Sequence, residues 1–232
     1  MANELILRDK SLRDRVVLIT GALTRIGRAT AIAFAQEGSK LVLSGRHEET
    51  GRELVRQLRS LGAEAHFVQA DVRLEGNVRY LVEFIVSRFG RLDIAVNNAG
   101  TEGLPGPVTA QTKESYKATF DTNVLGTLLS MKHELKVMLR QRSGSIINVS
   151  SIFGTQAAAG MSVYVASKHA VEGMTKAAAL EGAPFGVRVN AVAPDHIETS
   201  GRSMKSTRRS QEVAEAILLL VGGSHYVNIE NK

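Results

Sequence analysis

Tyr164 and Lys168 stand four residues apart, with Ser151 thirteen residues upstream of the tyrosine. Positions i and i+4 share a face of an α-helix, so a helix here places an ammonium beside a phenol. A free tyrosine titrates near 10, too high for ready proton exchange at neutral pH. A neighbouring cation favours the phenolate and lowers that value. A hydroxyl such as Ser151 can hydrogen-bond an oxygen whose charge changes during a reaction. By itself Y-x-x-x-K also describes an exposed tyrosine beside a solvated lysine, so the elements around it carry the weight.

Those elements alternate. Apolar strand-like runs at 16–19, 40–43, 65–69, 92–96, 145–149 and 187–192 are separated by helical patterns at 26–37, 48–61, 77–89, 113–140 and 164–180. Regular strand–helix alternation predicts one α/β domain over 1–232: a doubly wound, Rossmann-like parallel sheet with helices on both faces. Ligands of such sheets bind at the carboxyl ends of the strands, and each polar cluster in this chain follows a strand.

Composition narrows the options further. A hydrophobic content of 44% with 22% charged residues is that of a globular domain. There is no cysteine, so thiolate ligands and cysteine nucleophiles are excluded. The six histidines lack metal-ligand spacing, and no metal is expected. The first residues lack a signal-peptide pattern and no apolar run is long enough for a membrane span, so a cytoplasmic location is expected. The net charge of +6 is concentrated in part at Arg202, Lys205, Arg208 and Arg209, without a nucleic-acid-reading motif.

The turn after the first strand reads Thr20-Gly21-Ala22-Leu23-Thr24-Arg25-Ile26-Gly27. Glycines there let backbone N–H groups approach a pyrophosphate at a helix N-terminus. The second strand ends Leu43-Ser44-Gly45-Arg46, with arginine where an acid would hold a ribose 2′-hydroxyl. Arg46, with Arg25 nearby, predicts NADP(H) rather than NAD(H).

These residues resemble the short-chain dehydrogenase/reductase family over about 14–199. The family's glycine motif is matched by Gly21, Thr24, Arg25, Ile26 and Gly27, and its adenine-side acid by Asp71, followed by Val72. Its N-N-A-G motif is matched by Asn97, Asn98, Ala99 and Gly100, and its catalytic asparagine by Asn123. Ser151, Tyr164 and Lys168 complete the catalytic set. Pro194, Ile197 and Thr199 follow the last strand on the cofactor side.

The resemblance implies hydride transfer between a nicotinamide and a carbonyl or secondary alcohol, with Tyr164 as general acid or base. It also implies that Lys168 lowers the tyrosine's pKa and holds the nicotinamide ribose, that Ser151 orients the substrate oxygen, and that Asn123 supports a water relay to the lysine. A homo-oligomer, dimer or tetramer, through the helices at 113–140 and 161–180 is implied as well.

Three departures stand out. Arg25 occupies the place of the family's middle glycine, as in pteridine reductases. Asp195 replaces the glycine of Pro-Gly-x-x-x-Thr. Only ten residues separate Thr199 from Ser210, where the family's next helix is expected to begin; that segment is usually a longer lid, and the family's last strand is missing from the shortened, divergent 200–232. An alternative follows from these: a cofactor-binding protein with little turnover. The small apolar stretch Ala157-Ala158-Ala159-Gly160-Met161 is expected to line the substrate pocket without naming the substrate.

Overall fold

A computed structural model describes residues 12–195 and 204–222. Six parallel strands form one sheet: β1 (Val16–Thr20), β2 (Lys40–Gly45), β3 (Ala65–Gln69), β4 (Ile94–Asn97), β5 (Gly144–Val149) and β6 (Val187–Val192), in the order β3-β2-β1-β4-β5-β6. Helices α1 (Arg25–Gln36), α2 (Glu48–Ser60), α3 (Glu75–Phe89), α4 (Lys113–Phe120), α5 (Gly126–Gln141), α6 (Ser162–Gly182) and α7 (Met204–Gly222) cover both faces.

The two cores show why the sheet must be sandwiched. Val17 and Ile19 of β1 pack with α1, α2 and α7 through Phe34, Leu54 and Ile217. Val16 and Leu18 point the other way, among Leu81, Ile85, Met138 and Ala178 of α3, α5 and α6. Alternate residues of one strand thus bury in opposite layers, as a period of two requires. The winding reverses between β1 and β4, where the chain has placed its glycine turn. Register holds that rim level: Thr20 pairs with Asn97, and Asn97 with Asn148.

Three boundaries differ from the sequence expectation. The continuous helix expected over 113–140 is interrupted by a π-helical turn, Asp121–Leu125, between α4 and α5. The strand expected from 92 begins at Ile94, because the side chain of Gln141 takes both the N–H and the carbonyl of Leu92 (2.9 and 2.8 Å). The helix expected from about Ser210 begins at Met204. No helix among the described residues is long and apolar enough to cross a membrane, and none of their acidic and histidine side chains cluster for a metal ion.

Candidate functional site

The glycine turn is built by close approach. Gly21 has φ +61°, and a Cβ there would stand 2.7 Å from Cα of Ala99. A Cβ on Gly27 would collide with the carbonyl oxygen of Gly21. The turn is then fastened from β4: Asn98 Nδ2 donates to the carbonyl of Gly21 (2.8 Å) and to Thr24 Oγ1 (3.0 Å). Thr24 Oγ1 in turn donates to the Gly21 carbonyl (2.9 Å) instead of capping α1. No acidic residue occupies the first turn of α1. Its N-terminal N–H groups therefore face the cleft uncapped, as an anion site requires.

The cleft, about 450 Å³, lies at the carboxyl rim. Of the residues expected at the site, Thr24, Arg25, Ile26, Asn98, Gly100, Ser151, Tyr164, Lys168 and Pro194 line it. Gly21, Gly27 and Ala99 stand behind it as the packed back of the turn. A Cβ on Gly100 would lie 3.3 Å from Asn123 Oδ1 and 3.8 Å from Lys168 Nζ, so glycine keeps that wall flat. An uncapped helix N-terminus beside a flat, glycine-lined wall fits a dinucleotide.

Arg46, Asp71 and Val72 do not line this cleft. Arg46 is exposed at the end of β2, its carbonyl accepting from Gln69 Nε2 (2.8 Å). The Asp71 carboxylate is gripped by Arg73 (2.9, 3.0 and 2.6 Å), which holds its pKa below the ordinary carboxylate range, with a minor contribution from the Arg46 charge. Val72 packs its side chain with Val78 and Leu129. Ile197 and Thr199 lie outside the described residues, as do 200–203 of the ten-residue stretch expected as a short lid, whose remainder opens α7.

Ser151, Tyr164 and Lys168 come together from β5's exit and α6. Lys168 is 6% exposed, and its Nζ donates to the carbonyl of Val149 (2.9 Å) while lying 5.6 Å from the Tyr164 ring centroid. Burial pushes its pKa down to about 8, against the opposing charge of Glu172. Phe153 packs edge-on against the Tyr164 ring, 6.4 Å between centroids. Burial raises the phenol's pKa; the Ser151 hydroxyl opposes the rise and the Glu102 carboxylate adds to it. The lowered tyrosine pKa expected from the sequence is therefore not what this geometry produces. The lysine is aimed at a backbone carbonyl, and desolvation dominates at the phenol.

Asn123 is buried in the π-helical turn. Its Oδ1 accepts from Thr101 N (2.8 Å), and its Nδ2 donates to Thr101 O (2.8 Å) and Ser167 Oγ (3.0 Å). The amide thus clamps the loop after β4 to α6. Its contact with α6 is at Ser167, the residue before Lys168.

Sequence reasoning missed Leu23, Phe153 and Glu102, all at the cleft. Glu102 follows Asn97-Asn98-Ala99-Gly100 by two residues, a signal that was available. Of the expected alanine- and glycine-rich lining, Met161 alone reaches the cleft. Asp195 lines it as well.

Residues 15–211 match the family described as short chain dehydrogenase. The chain is 39% identical over 196 residues to xanthoxin dehydrogenase of Arabidopsis thaliana, covering 83% of this chain and 69% of that protein. Among solved structures it is similar to an NAD+-bound xylitol dehydrogenase (TM-score 0.84, 28% identity, 91% of this chain and 94% of the other). It is similar also to ElxO with NADP bound (TM-score 0.83, 33% identity, 90% and 91%).

Proposed function

The chain belongs to the short-chain dehydrogenase family, and we propose that it transfers a hydride between NADP(H) and a small carbonyl or secondary-alcohol substrate. The observation that carries this reading is the convergence of Tyr164, Ser151 and Lys168 in one cleft with the uncapped N-terminus of α1.

The nicotinamide, when bound, supplies or accepts the hydride. The chain's own residues handle position and proton. Thr24, Ile26 and the N–H groups of α1 hold the pyrophosphate, with Gly21 and Gly27 allowing its approach. Lys168 holds the nicotinamide ribose with whichever N–H groups the Val149 carbonyl leaves available. Ser151 donates to the substrate oxygen, and Tyr164 moves the proton at that oxygen through its phenolic hydroxyl. A phenol raised by burial is protonated throughout the neutral range, which suits donation to a developing alkoxide. Arg46 at the end of β2 and Arg25 at the start of α1 supply the cations for a 2′-phosphate.

Steady-state oxidation of NADPH and NADH against a panel of ketones, aldehydes and sugars tests the reading. Turnover of a carbonyl with preference for NADPH supports it. NADPH binding without turnover of any substrate would instead establish a cofactor-binding protein, and equal efficiency with NADH would remove the NADP(H) assignment.

A further inference from the structure

Beneath the cleft floor runs a buried chain of amides whose direction can be fixed from one end. The Thr175 hydroxyl donates to the Val171 carbonyl (2.7 Å), so its oxygen must accept, and it does so from Asn148 Nδ2 (2.9 Å). Asn148 Oδ1 is then left to accept from Asn97 Nδ2 (3.0 Å). The other N–H of that amide goes to Glu134 Oε2 (2.9 Å). Neither amide can be flipped without breaking the chain.

Two buried oxygens are left over at its end, Asn97 Oδ1 and Glu134 Oε1, each without a hydrogen-bond partner. If Glu134 were ionised, both would be acceptors facing no donor. One proton on Oε1 would turn it into a donor, and the oxygen of the amide already bonded to Oε2 is the acceptor left for it. Glu134 is 0% exposed on α5, so water offers no alternative shell.

We propose that Glu134 is a neutral carboxylic acid closing a two-hydrogen-bond ring with the Asn97 amide, and that this ring positions the two strand ends supporting the cleft. The residue after Asn97 is Asn98, which fastens the glycine turn. The residue after Asn148 is Val149, whose carbonyl holds Lys168 Nζ. Glu134 touches neither cofactor nor substrate and acts through these residues. The ring stands on buried geometry alone, whereas the positioning role rests on the functions proposed for Asn98 and Lys168.

Burial raises Glu134 from 4.5 to about 7, and the Asn97 hydrogen bond is the sole opposing cause. Most ionisable groups on the packed elements have partners of their own. Glu75 of α3 binds Lys132 and His133, and Asp93 before β4 binds Arg91 and Arg15. The α6 face carries Lys168, Glu172 and Lys176, and β6 carries Arg188, which donates to the carbonyls of Leu220 and Val221. β5 carries no ionisable side chain. None of these charges contributes to the Glu134 shift.

As pH rises past 4.5 the unfolded chain releases this proton first, so stability falls until about pH 7 and is level above it. Glu134→Gln keeps the ring with an amide and removes the titration; Glu134→Leu removes both hydrogen bonds.

The wild type, E134Q and E134L would be compared by infrared spectroscopy, thermal unfolding between pH 5 and 8, and NADPH titration. The wild type at pH 6 is expected to show a protonated-carboxyl stretch that E134Q lacks, and to lose Tm relative to E134Q as pH rises. E134Q is expected to bind NADPH within about twofold of wild type, and E134L, below its Tm, about tenfold more weakly, the equivalent of one buried hydrogen bond. Absence of the band with parallel Tm curves would overturn the ring. Presence of the band with unchanged NADPH affinity in E134L would overturn the positioning role. A wild type binding neither NADPH nor NADH would defeat the functional reading and the positioning role together, while the infrared band would still decide the ring.

Discussion

Lys168 Nζ donates to the carbonyl of Val149 at 2.9 Å, while lying 5.6 Å from the centre of the Tyr164 ring. One cation is therefore tied to the sheet and presented to the tyrosine's face at once. The phenol itself is left to the desolvating contacts around it, with its pKa raised. On this geometry the proposed proton-transferring group and the cation have separable effects.

Tyr164→Phe removes the phenolic hydroxyl and keeps the ring that packs on Phe153. Carbonyl reduction is expected to fall by about 10²–10⁴-fold, the range for losing a positioned acid. NADPH affinity, followed by fluorescence titration, should change less than about threefold, since no cofactor contact is assigned to that hydroxyl alone. Retention of more than about a tenth of the wild-type kcat would rule out the proposed proton transfer.

Lys168→Met has a pH signature in stability. The lysine's pKa falls from 10.5 in the unfolded chain to about 8 in the fold. Between those values the unfolded chain binds more protons, so folding stability gains from rising pH over that window. Below pH 8 the fold carries the full penalty of holding the buried ammonium, on the order of 3 kcal/mol. The lost hydrogen bond to Val149 offsets about 1 kcal/mol of that relief. In thermal melts of the cofactor-free chain, Lys168→Met should be at least as stable as wild type at pH 7, with the wild type regaining ground between pH 8 and 10. A difference that stays flat with pH would show that the ammonium is not desolvated.

Arg46→Ala tests cofactor choice. Arg46 is exposed at the end of β2, and its charge is felt by Asp71. Losing a charge-assisted bond to a phosphate is worth about 1.5–3 kcal/mol. The kcat/KM for NADPH is accordingly expected to drop about 10- to 100-fold, with that for NADH within about twofold. Parallel losses for both cofactors would point to a collapsed loop rather than lost phosphate recognition.

The sheet was legible because its central strands are buried throughout and its crossovers are helical, so apolar runs alternate cleanly with helical patterns. The cleft residues were legible because Asn98, Ser151 and Tyr164 all sit just past a strand or in the following helix. Period alone cannot register the π-helical turn at Asp121–Leu125, since one extra residue shifts the helix face without changing its composition. The raised phenol escaped for a related reason: desolvation depends on Phe153 and α6 closing over Tyr164, which no spacing records. Glu134 reads in sequence as one more charge beside Lys132 and His133 on α5, and only packing shows it turned inward.

Glu102→Gln probes the effect of a second charged neighbour on the tyrosine. Burial is the main cause of the raised phenol, and the Glu102 carboxylate adds to it. Glutamine keeps the shape at the cleft wall and removes the charge. Because Glu102 is exposed, screening limits its influence, and the downward shift expected in the variant is small. Alcohol oxidation needs the phenolate, so its rate should rise with pH, and that rise should move to lower pH in the variant. Carbonyl reduction at pH 7 should change little, because the phenol is protonated in both proteins. An unshifted oxidation profile would place the rate-determining base elsewhere than Tyr164.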